Sequence, residues 1–410
     1  MLIESEREYL KFLHTYNHHE LIVNVLGCDE RYHPAADTLC AIFIKSIFDG
    51  RDFVIAVNHP DVIYNIDKQR LVDDLNKFTN TLWTLDKKRT QHLFPLNKMY
   101  DICIYDYMET DNIVDVEKFQ TTAHTFYSRM YGKYSDLNCV IPLVLHAQWY
   151  EQLHDSLLTR IKSFTLDNSY HYMNNDTSDS FRAIEANGLY VNSELFQQFF
   201  ENKETKIKDN LVYTQYNLFT STGRPSNRFG NINYAALKKD DGCRSAFVSR
   251  YGSDGYLFMI DYSAYHPRLI SKLVRYDLPH DVYNYLGKYY FNKETLTDEE
   301  LKAAKTTTFQ LLYGNIPEKY AHIPFFVKIK EYIEHRWNYF SKYGYVETPV
   351  FKRRITPNNI AEANPNKLFN YILQASETEY NVGIIKELLI LLQNKLTKPI
   401  LYTYDSILFD

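Results

Sequence analysis

Two aspartates in the second half of the chain occupy positions that suit metal binding. Asp261 follows the apolar strand-like run 256–260, and Asp405 lies beside Tyr404 at the tip of a tight hairpin predicted over 400–409. Carboxylate oxygens are the ligands that Mg²⁺ prefers, and a strand end holds a ligand rigidly. If the two tips converge, the aspartates could hold two divalent ions for phosphoryl transfer. Alone, either aspartate is more often a turn or cap residue.

A helix predicted over 298–313 lies between the two aspartates in the sequence. Lys305, Phe309 and Tyr313 recur every four residues and therefore share one face of that helix. A lysine on this face can bind a triphosphate, and a phenylalanine offers a flat surface to a base. An amphipathic helix with a solvated lysine and two core aromatics is the alternative interpretation.

The segment TSTGRPSNRFGNIN at 220–233 reads as a loop because it is rich in Gly, Pro, Ser and Asn. Arg224, Arg228, Asn227 and Asn231 offer donors to phosphates and to minor-groove base edges. A polar surface loop would look similar, and so would a solvated basic run such as FKRR at 351–354.

Composition limits the classes of protein that fit. The 410 residues are enough for two or three domains, and a net charge of −5 means that any nucleic-acid binding must use local basic patches. The 36 tyrosines are attributed to compositional bias. The five cysteines form no CxxC pair, which argues against a zinc site and a disulfide framework. The absence of a signal-like N-terminus and of long apolar runs predicts a cytoplasmic protein with no membrane partner.

The chain divides into three blocks. Residues 20–140 mix β-branched runs at 21–25, 40–44 and 53–57 with a helical pattern at 71–85, which predicts an α/β domain. Residues 141–210 are helical and polar, with a predicted loop at 169–180, and the remainder is α+β.

Seven ordered segments together resemble the family A DNA polymerases, the group that includes bacterial DNA polymerase I. IDYSAYHPR is similar to the family's motif A, LKAAKTTTFQLLYG to motif B and YDSILF to motif C. The other four are IEANGLYVN, TSTGRPS, GYVETPVFKRR and NYILQAS. The matches span 181–410. The resemblance implies an α+β right-hand fold with palm, fingers and a reduced thumb, preceded by an α/β RNase H-like exonuclease-type domain.

The resemblance also implies domain limits. They are a degenerate 3′-5′ exonuclease-like domain at 1–140, a helical thumb-like or linker region leading into the palm at 141–215, palm with motif A at 216–270, fingers with motif B at 271–365, and palm with motif C at 366–410.

The implied function is DNA-directed DNA synthesis, in which dNTPs are added to a primer 3′-end, in a phage setting and without proofreading. Asp261, Asp405 and Lys305 would be catalytic, and the backbone carbonyl of Tyr262 would join the aspartates in holding two Mg²⁺ ions, for which Mn²⁺ could substitute. The implied nucleotide-binding residues are Lys302, Lys305, Phe309, Tyr313 and His266. The implied primer- and template-binding residues are Arg224, Asn231, Arg268, Asn370 and Gln374. The expected partners are a DNA primer-template, dNTPs and an accessory or processivity subunit.

Several positions depart from the family pattern. Leu301 replaces the first arginine of motif B, His266 replaces the glutamate that walls off the ribose 2′-hydroxyl, and Ser406 replaces the glutamate of motif C. His266 and Ser406 leave open a ribonucleotide-using polymerase or primase-like enzyme. Leu301 and the short thumb region leave open a non-catalytic, nucleic-acid-binding pseudo-polymerase.

The first block resembles the family's exonuclease domain but lacks most of its carboxylates. The metal-binding acids would align with Asn24, Leu26, Asp101 and Asn138, the last in a YxxxD-like segment that begins at Tyr134, so only Asp101 is retained. Loss of three carboxylates removes the charge that would hold metal ions. The hypothesis is a proofreading-dead scaffold, and an unrelated α/β domain is the alternative.

Overall fold

The computed structural model describes residues 1–109, 137–162, 164, 166–201, 203 and 205–410. Tyr134 therefore lies outside the described residues. Among those residues, no helix combines the length and the apolar character needed to span a bilayer.

A five-stranded mixed sheet surrounded by helices forms the N-terminal part. The helices are α1 (Glu6–Tyr16), α2 (Lys68–Leu75), α3 (Lys87–Leu93) and α4 (Ile102–Glu109). The strands are β1 (Leu21–Gly27), β2 (Leu39–Ser46), β3 (Asp52–Ala56), β4 (Leu82–Thr84) and β5 (Met99–Asp101). Their order is β3-β2-β1-β4-β5. The pairs β1–β2 and β2–β3 are antiparallel, whereas β1–β4 and β4–β5 are parallel.

The strands predicted in this block are confirmed, and one helix prediction is partly wrong. The helix predicted at 71–85 ends at Leu75, and residues 82–84 form β4 instead. Those three residues are buried, and Leu82 and Trp83 pair with β1. Burial in the sheet therefore decides their conformation over the helical spacing of apolar residues.

The middle of the chain is mainly helical. Its helices are α5 (Leu143–Ile161), α6 (Asn168–His171), a π-helical turn (Tyr172–Thr177), α7 (Ser178–Asn187) and α8 (Ser193–Phe200). Its short strands are β6 (Leu189–Tyr190), β7 (Leu211–Val212), β8 (Tyr216–Asn217) and β9 (Ser226–Asn227), which pair as β6–β7 and β8–β9.

The loop predicted at 169–180 is wrong, because this segment is continuous helix and π-turn. Asn174 is fully buried there. Its amide donates to the Met99 carbonyl at 3.0 Å and accepts from the Asp101 N–H at 3.0 Å. The polar composition of the segment thus reflects hydrogen bonds to the N-terminal sheet rather than exposure to solvent.

The remainder is α+β, as the sequence predicts. Its strands are β10 (Phe258–Asp261), β11 (Val346–Glu347), β12 (Arg354–Ile355), β13 (Pro399–Tyr402) and β14 (Ser406–Phe409). Its helices are α9 (Tyr265–Val274), α10 (Val282–Phe291), α11 (Asp298–Tyr313), α12 (Pro324–Tyr343) and α13 (Pro365–Leu391). A three-stranded sheet has the order β10-β14-β13, and β11 pairs with β12.

The hydrophobic core joins the N-terminal part to the second sheet. Tyr105 and Tyr107 of α4 belong to the same buried cluster as Tyr402 of β13 and Ile407 of β14. A separate cluster packs α9 to α13 against one another. The sheet that carries Asp261 and the helix that carries Lys305 are therefore each held in place by a buried hydrophobic cluster.

Candidate active site

The two candidate metal-binding aspartates lie side by side. In the antiparallel pair β10–β14, Asp261 stands opposite Ser406, and the Tyr262 N–H donates to the Asp405 carbonyl at 3.0 Å. Both aspartates are exposed at the same end of the sheet. Two residues remote in sequence are thus brought together by strand pairing.

The hairpin that carries Asp405 is braced by helix α13. The hairpin predicted from the sequence is confirmed, and Tyr404 at its tip has a positive φ of 75°. The Asn381 side chain of α13 donates to the Tyr404 carbonyl at 2.7 Å and to the Tyr402 hydroxyl at 2.8 Å. These bonds hold the tip in a backbone conformation that a tyrosine rarely adopts.

The donor groups at the sheet end fit a hard divalent cation. Within the described residues, no hydrogen bond or ion pair engages the carboxylate of Asp261 or Asp405. Exposed carboxylate oxygens suit Mg²⁺ or Mn²⁺, which usually keep several ligand positions for water and phosphate oxygens. Asp261 and Asp405 could therefore hold such an ion, with the Tyr262 carbonyl as an adjacent oxygen donor.

Helix α11 carries Lys305, Phe309 and Tyr313 on one face, as the sequence predicts. Its first turn is fixed by a capping box between Thr297 and Glu300. Lys305 is exposed on that face, and the rings of Phe309 and Tyr313 lie nearly parallel at 3° with centroids 6.4 Å apart. Lys302 is also exposed on the same helix.

Tyr283 of α10, which was not predicted from the sequence, lies against the Lys305–Phe309 face of α11. Its ring centroid lies 5.8 Å from the Lys305 ammonium and 6.4 Å from the Phe309 ring. Burial raises the pKa of Tyr283, Arg268 opposes that shift and Asp261 adds to it. Because the chain contains so many tyrosines, composition gave no signal for this one.

His266 connects the helix face to a buried glutamate. The Tyr313 hydroxyl and His266 Nδ1 are 2.6 Å apart, and His266 Nε2 lies 3.5 Å from Glu377 Oε1. The Glu377 side chain is fully buried in α13, and its other oxygen lies 3.2 Å from Arg224 Nε. Glu377 was not predicted from the sequence, although its spacing from Gln374 places both residues on one face of the helix.

The predicted primer- and template-binding residues occupy different settings. The Arg224 guanidinium stacks 3.7 Å above the Tyr404 ring, and Asn370 and Tyr313 line a cavity of about 260 Å³. Gln374 is half-buried one turn after Asn370. The remaining two are Asn231, which accepts from Arg228 at 2.7 Å in an exposed turn, and Arg268, which donates to the Ser263 and His280 carbonyls.

Asp101, the one acid that the exonuclease resemblance predicts to be retained, is buried. Asp101 ends β5 and accepts from the backbone N–H groups of Lys87 at 2.9 Å and Cys103 at 2.8 Å. Burial raises the pKa of Asp101 to about 8. Asn24, Leu26 and Asn138 are buried as well. The Asn24 amide oxygen accepts from the Leu85 N–H at 3.1 Å rather than facing solvent.

A second group of potential metal ligands joins the N-terminal part to α7. It consists of His33, His92 and Glu185. His33 Nδ1 accepts from the Ala35 N–H at 3.1 Å, which leaves the proton of the neutral ring on Nε2, the nitrogen that faces Glu185. Glu185 is already paired with the Lys88 ammonium. These contacts fit a buried ion network better than a metal site.

Comparison with known proteins supports the fold. No protein-family model and no curated protein matches the chain. Its structure is similar to a solved structure described as the POL domain of Pol1 from M. smegmatis in complex with DNA primer-template and dNTP, with a TM-score of 0.70 and 14% sequence identity. The match covers 100% of this chain and 92% of that chain. The chain therefore has the fold of a DNA polymerase domain.

Proposed function

We propose that the chain is a DNA-directed DNA polymerase that adds dNTPs to the 3′-end of a primer. One observation carries the proposal: Asp261 ends β10 and Asp405 lies in the hairpin turn directly before the paired strand β14, both with exposed carboxylates, in a fold similar to that of a polymerase domain. A pseudo-polymerase would have no need to keep side by side two acids that have no ion pair within the described part of the chain, since like charges in proximity repel.

The proposed chemistry forms a bond between the primer 3′-oxygen and the α-phosphorus of the dNTP, and breaks the bond to pyrophosphate. Asp261, Asp405 and the Tyr262 carbonyl would hold two divalent ions, which activate the 3′-hydroxyl and stabilise charge on the leaving group. Lys305 would bind the triphosphate, with Lys302 near it on the same helix. Phe309, Tyr313 and Tyr283 would contact the incoming nucleotide, beside His266.

The parts of the fold can be assigned to the same function. We assign the β10-β14-β13 sheet to the palm, α10 to α12 to the fingers, and α5 to α8 to the short thumb-like region. Arg224, Asn370 and Gln374 would contact primer or template beside the palm, and Asn231 and Arg268 would do so at its edge. An accessory subunit, a phage setting and a cytoplasmic location stay predictions.

Primer extension tests the proposal. The wild-type chain is expected to extend a 5′-labelled primer on a DNA template with Mg²⁺ and dNTPs. Asp261→Asn and Asp405→Asn are each expected to abolish extension, because each removes a carboxylate from the site. Asp254→Asn, at an exposed turn before β10, is the matched control and should extend like wild type.

Two results would contradict the proposal. Absence of extension by the folded wild-type chain would favour a nucleic-acid-binding pseudo-polymerase. Extension with rNTPs that exceeds extension with dNTPs would favour a ribonucleotide-using enzyme.

The N-terminal part is proposed to lack proofreading activity. Asp101 would be the one acid left at the four aligned positions, and it is buried and bonded to backbone N–H groups. Incubation of the chain with a 3′-mismatched primer and Mg²⁺ is expected to leave the primer intact. Mg²⁺-dependent excision that disappears in Asp101→Ala would overturn this part of the proposal.

A further inference from the structure

We propose that Glu377 is a positioning residue that couples the primer side of the site to its nucleotide side. The inference rests on the proposed polymerase function and names a residue that the family motifs do not single out. Glu377 lies in the middle of α13, fully buried, and its two carboxylate oxygens face two different functional segments.

The first segment is the loop that carries Arg224. Glu377 Oε2 lies 3.2 Å from Arg224 Nε, and the guanidinium of Arg224 is stacked on Tyr404, the residue before Asp405. A buried carboxylate is costly unless a cation compensates it, and arginine is always charged. Glu377 therefore positions Arg224 against the hairpin tip, where the primer end would lie.

The second segment is the His266–Tyr313 pair. Glu377 Oε1 lies 3.5 Å from His266 Nε2, and an acceptor-only carboxylate there favours the tautomer with its proton on Nε2. His266 Nδ1 is then an acceptor, so the Tyr313 hydroxyl at 2.6 Å donates to it. The oxygen of Tyr313 keeps its lone pairs free toward the nucleotide, and its ring stays parallel to Phe309.

One carboxylate thus serves both segments. Neither Glu377 oxygen has a well-aligned hydrogen bond among the described residues, so the contacts with Arg224 and His266 are the ones that compensate its charge. Loss of that charge should weaken the positioning of both the Arg224 loop and the His266–Tyr313 pair. Substitution of a residue that only fills space would not selectively affect either of these two segments.

The test uses Glu377→Gln, which keeps the shape of the side chain and removes its charge. The variant is expected to raise both the dNTP KM and the primer-template Kd about tenfold, the usual scale for loss of an orienting partner. In a His266→Gln background, Glu377→Gln should still raise the Kd but no longer the KM. In an Arg224→Met background, it should still raise the KM but no longer the Kd.

Glu379→Gln is the matched control. Glu379 is also a buried glutamate of α13, but it accepts from the Val350 N–H at 2.8 Å instead of facing Arg224 or His266. This control can lower the melting temperature, and it should leave the KM and the Kd within about twofold of wild type, as expected for uncoupled sites.

A spectroscopic readout separates this inference from the polymerase proposal. The ¹⁵N shifts of His266, assigned by their loss in His266→Gln, are expected to report the Nε2-protonated tautomer in wild type and a mixture in Glu377→Gln. An unchanged tautomer, or equal losses in all backgrounds, would overturn the role of Glu377 while wild-type extension still supported the proposed function. A wild-type chain that neither binds nor extends a primer would overturn both.

Discussion

At the residue scale, the candidate site depends on charged side chains that neighbouring groups position without neutralising their charge. Lys305 is exposed on α11, and its nearest described aromatic contact is the Tyr283 ring, with the ammonium 5.8 Å from the centroid. The contact steers a flexible side chain without removing its charge, since a cation over a ring keeps its donors available. Lys305 can therefore bind a phosphate group at little cost.

The Lys305→Ala variant tests that role. It is expected to raise the dNTP KM by about 10- to 100-fold, because a hydrogen bond to a charged group contributes about 1.5–3 kcal/mol. The primer-template Kd should stay unchanged. Steady-state single-nucleotide addition measures the KM, and fluorescence anisotropy measures the Kd.

Lys328→Ala serves as the control, because Lys328 is an exposed lysine of α12 that pairs with Glu331. Equal dNTP KM values in Lys305→Ala and Lys328→Ala would contradict the assignment of Lys305.

The positions of single side chains were predictable where the local sequence determines which way a side chain points. The strand patterns predicted that Asp261 ends a strand and that Asp405 lies at a hairpin tip, and helical spacing predicted that Lys305, Phe309 and Tyr313 share one helix face. Glu377 and Tyr283 could not be found this way, because their proposed roles depend on contacts with residues from remote segments. His266 was recognised as a departure, whereas its contact with Glu377 required the fold.

At the element scale, α11 carries the proposed nucleotide-binding face, and the start of this helix is well defined. The Thr297 hydroxyl accepts from the Glu300 N–H at 3.3 Å, and the Glu300 carboxylate accepts from the Thr297 N–H at 3.0 Å. Three acidic residues in the first turn also favour the helix dipole. The helix should therefore depend measurably on Thr297.

Thr297→Ala is expected to lower the stability of α11 by about 1 kcal/mol, the usual cost of losing an N-cap side chain. Faster hydrogen exchange of the backbone amides in 298–313 measures the effect. Thr306→Ala, at an exposed position inside the same helix, is the control and should not accelerate exchange. Equal exchange in the two variants would argue against a stabilising cap.

Elements were predictable where one strong local pattern acts alone. The capped helix 298–313 and the hairpin near the C-terminus were predicted with nearly correct limits. The polar segment 169–180 was mistaken for a loop, because its side chains satisfy backbone groups of another part of the chain. Sequence alone does not distinguish such buried polar groups from solvated ones.

At the scale of the whole molecule, a largely buried ionic network ties helix α3 of the N-terminal part to α7. Lys87 pairs with Asp179 at 3.0 Å, and Glu185 contacts Lys88 and, at 2.9 Å, His92. Burial alone would raise the pKa of Glu185, but Lys88 and the His92 hydrogen bond outweigh it and lower this pKa to about 2. Through this network the N-terminal part contributes to the stability of the folded chain.

Removal of the Glu185 charge should destabilise the folded chain. Glu185→Gln leaves Lys88 buried and unpaired, so the free energy of unfolding at neutral pH is expected to fall by about 3 kcal/mol. Because the pKa of Glu185 is lower in the folded state, its stabilisation is present above about pH 4.5 and is lost as the pH falls toward 2. The free energy of unfolding of the variant should therefore depend less on pH between about 4.5 and 2.

Urea unfolding of wild type and Glu185→Gln across this pH range measures both effects. Glu151→Gln, at an exposed position of α5, is the control. Parallel curves of stability against pH for wild type and Glu185→Gln would contradict the role of the network.

The proposed function requires above all template-directed synthesis at Asp261 and Asp405. The most direct measurement is addition of one nucleotide to a single primer on four templates that differ only in the first unpaired base, with each dNTP supplied separately. We expect the wild-type chain to add the complementary dNTP on each template and Asp405→Asn to add none. Addition that ignores the template base, or that persists in Asp405→Asn, would contradict the proposed function.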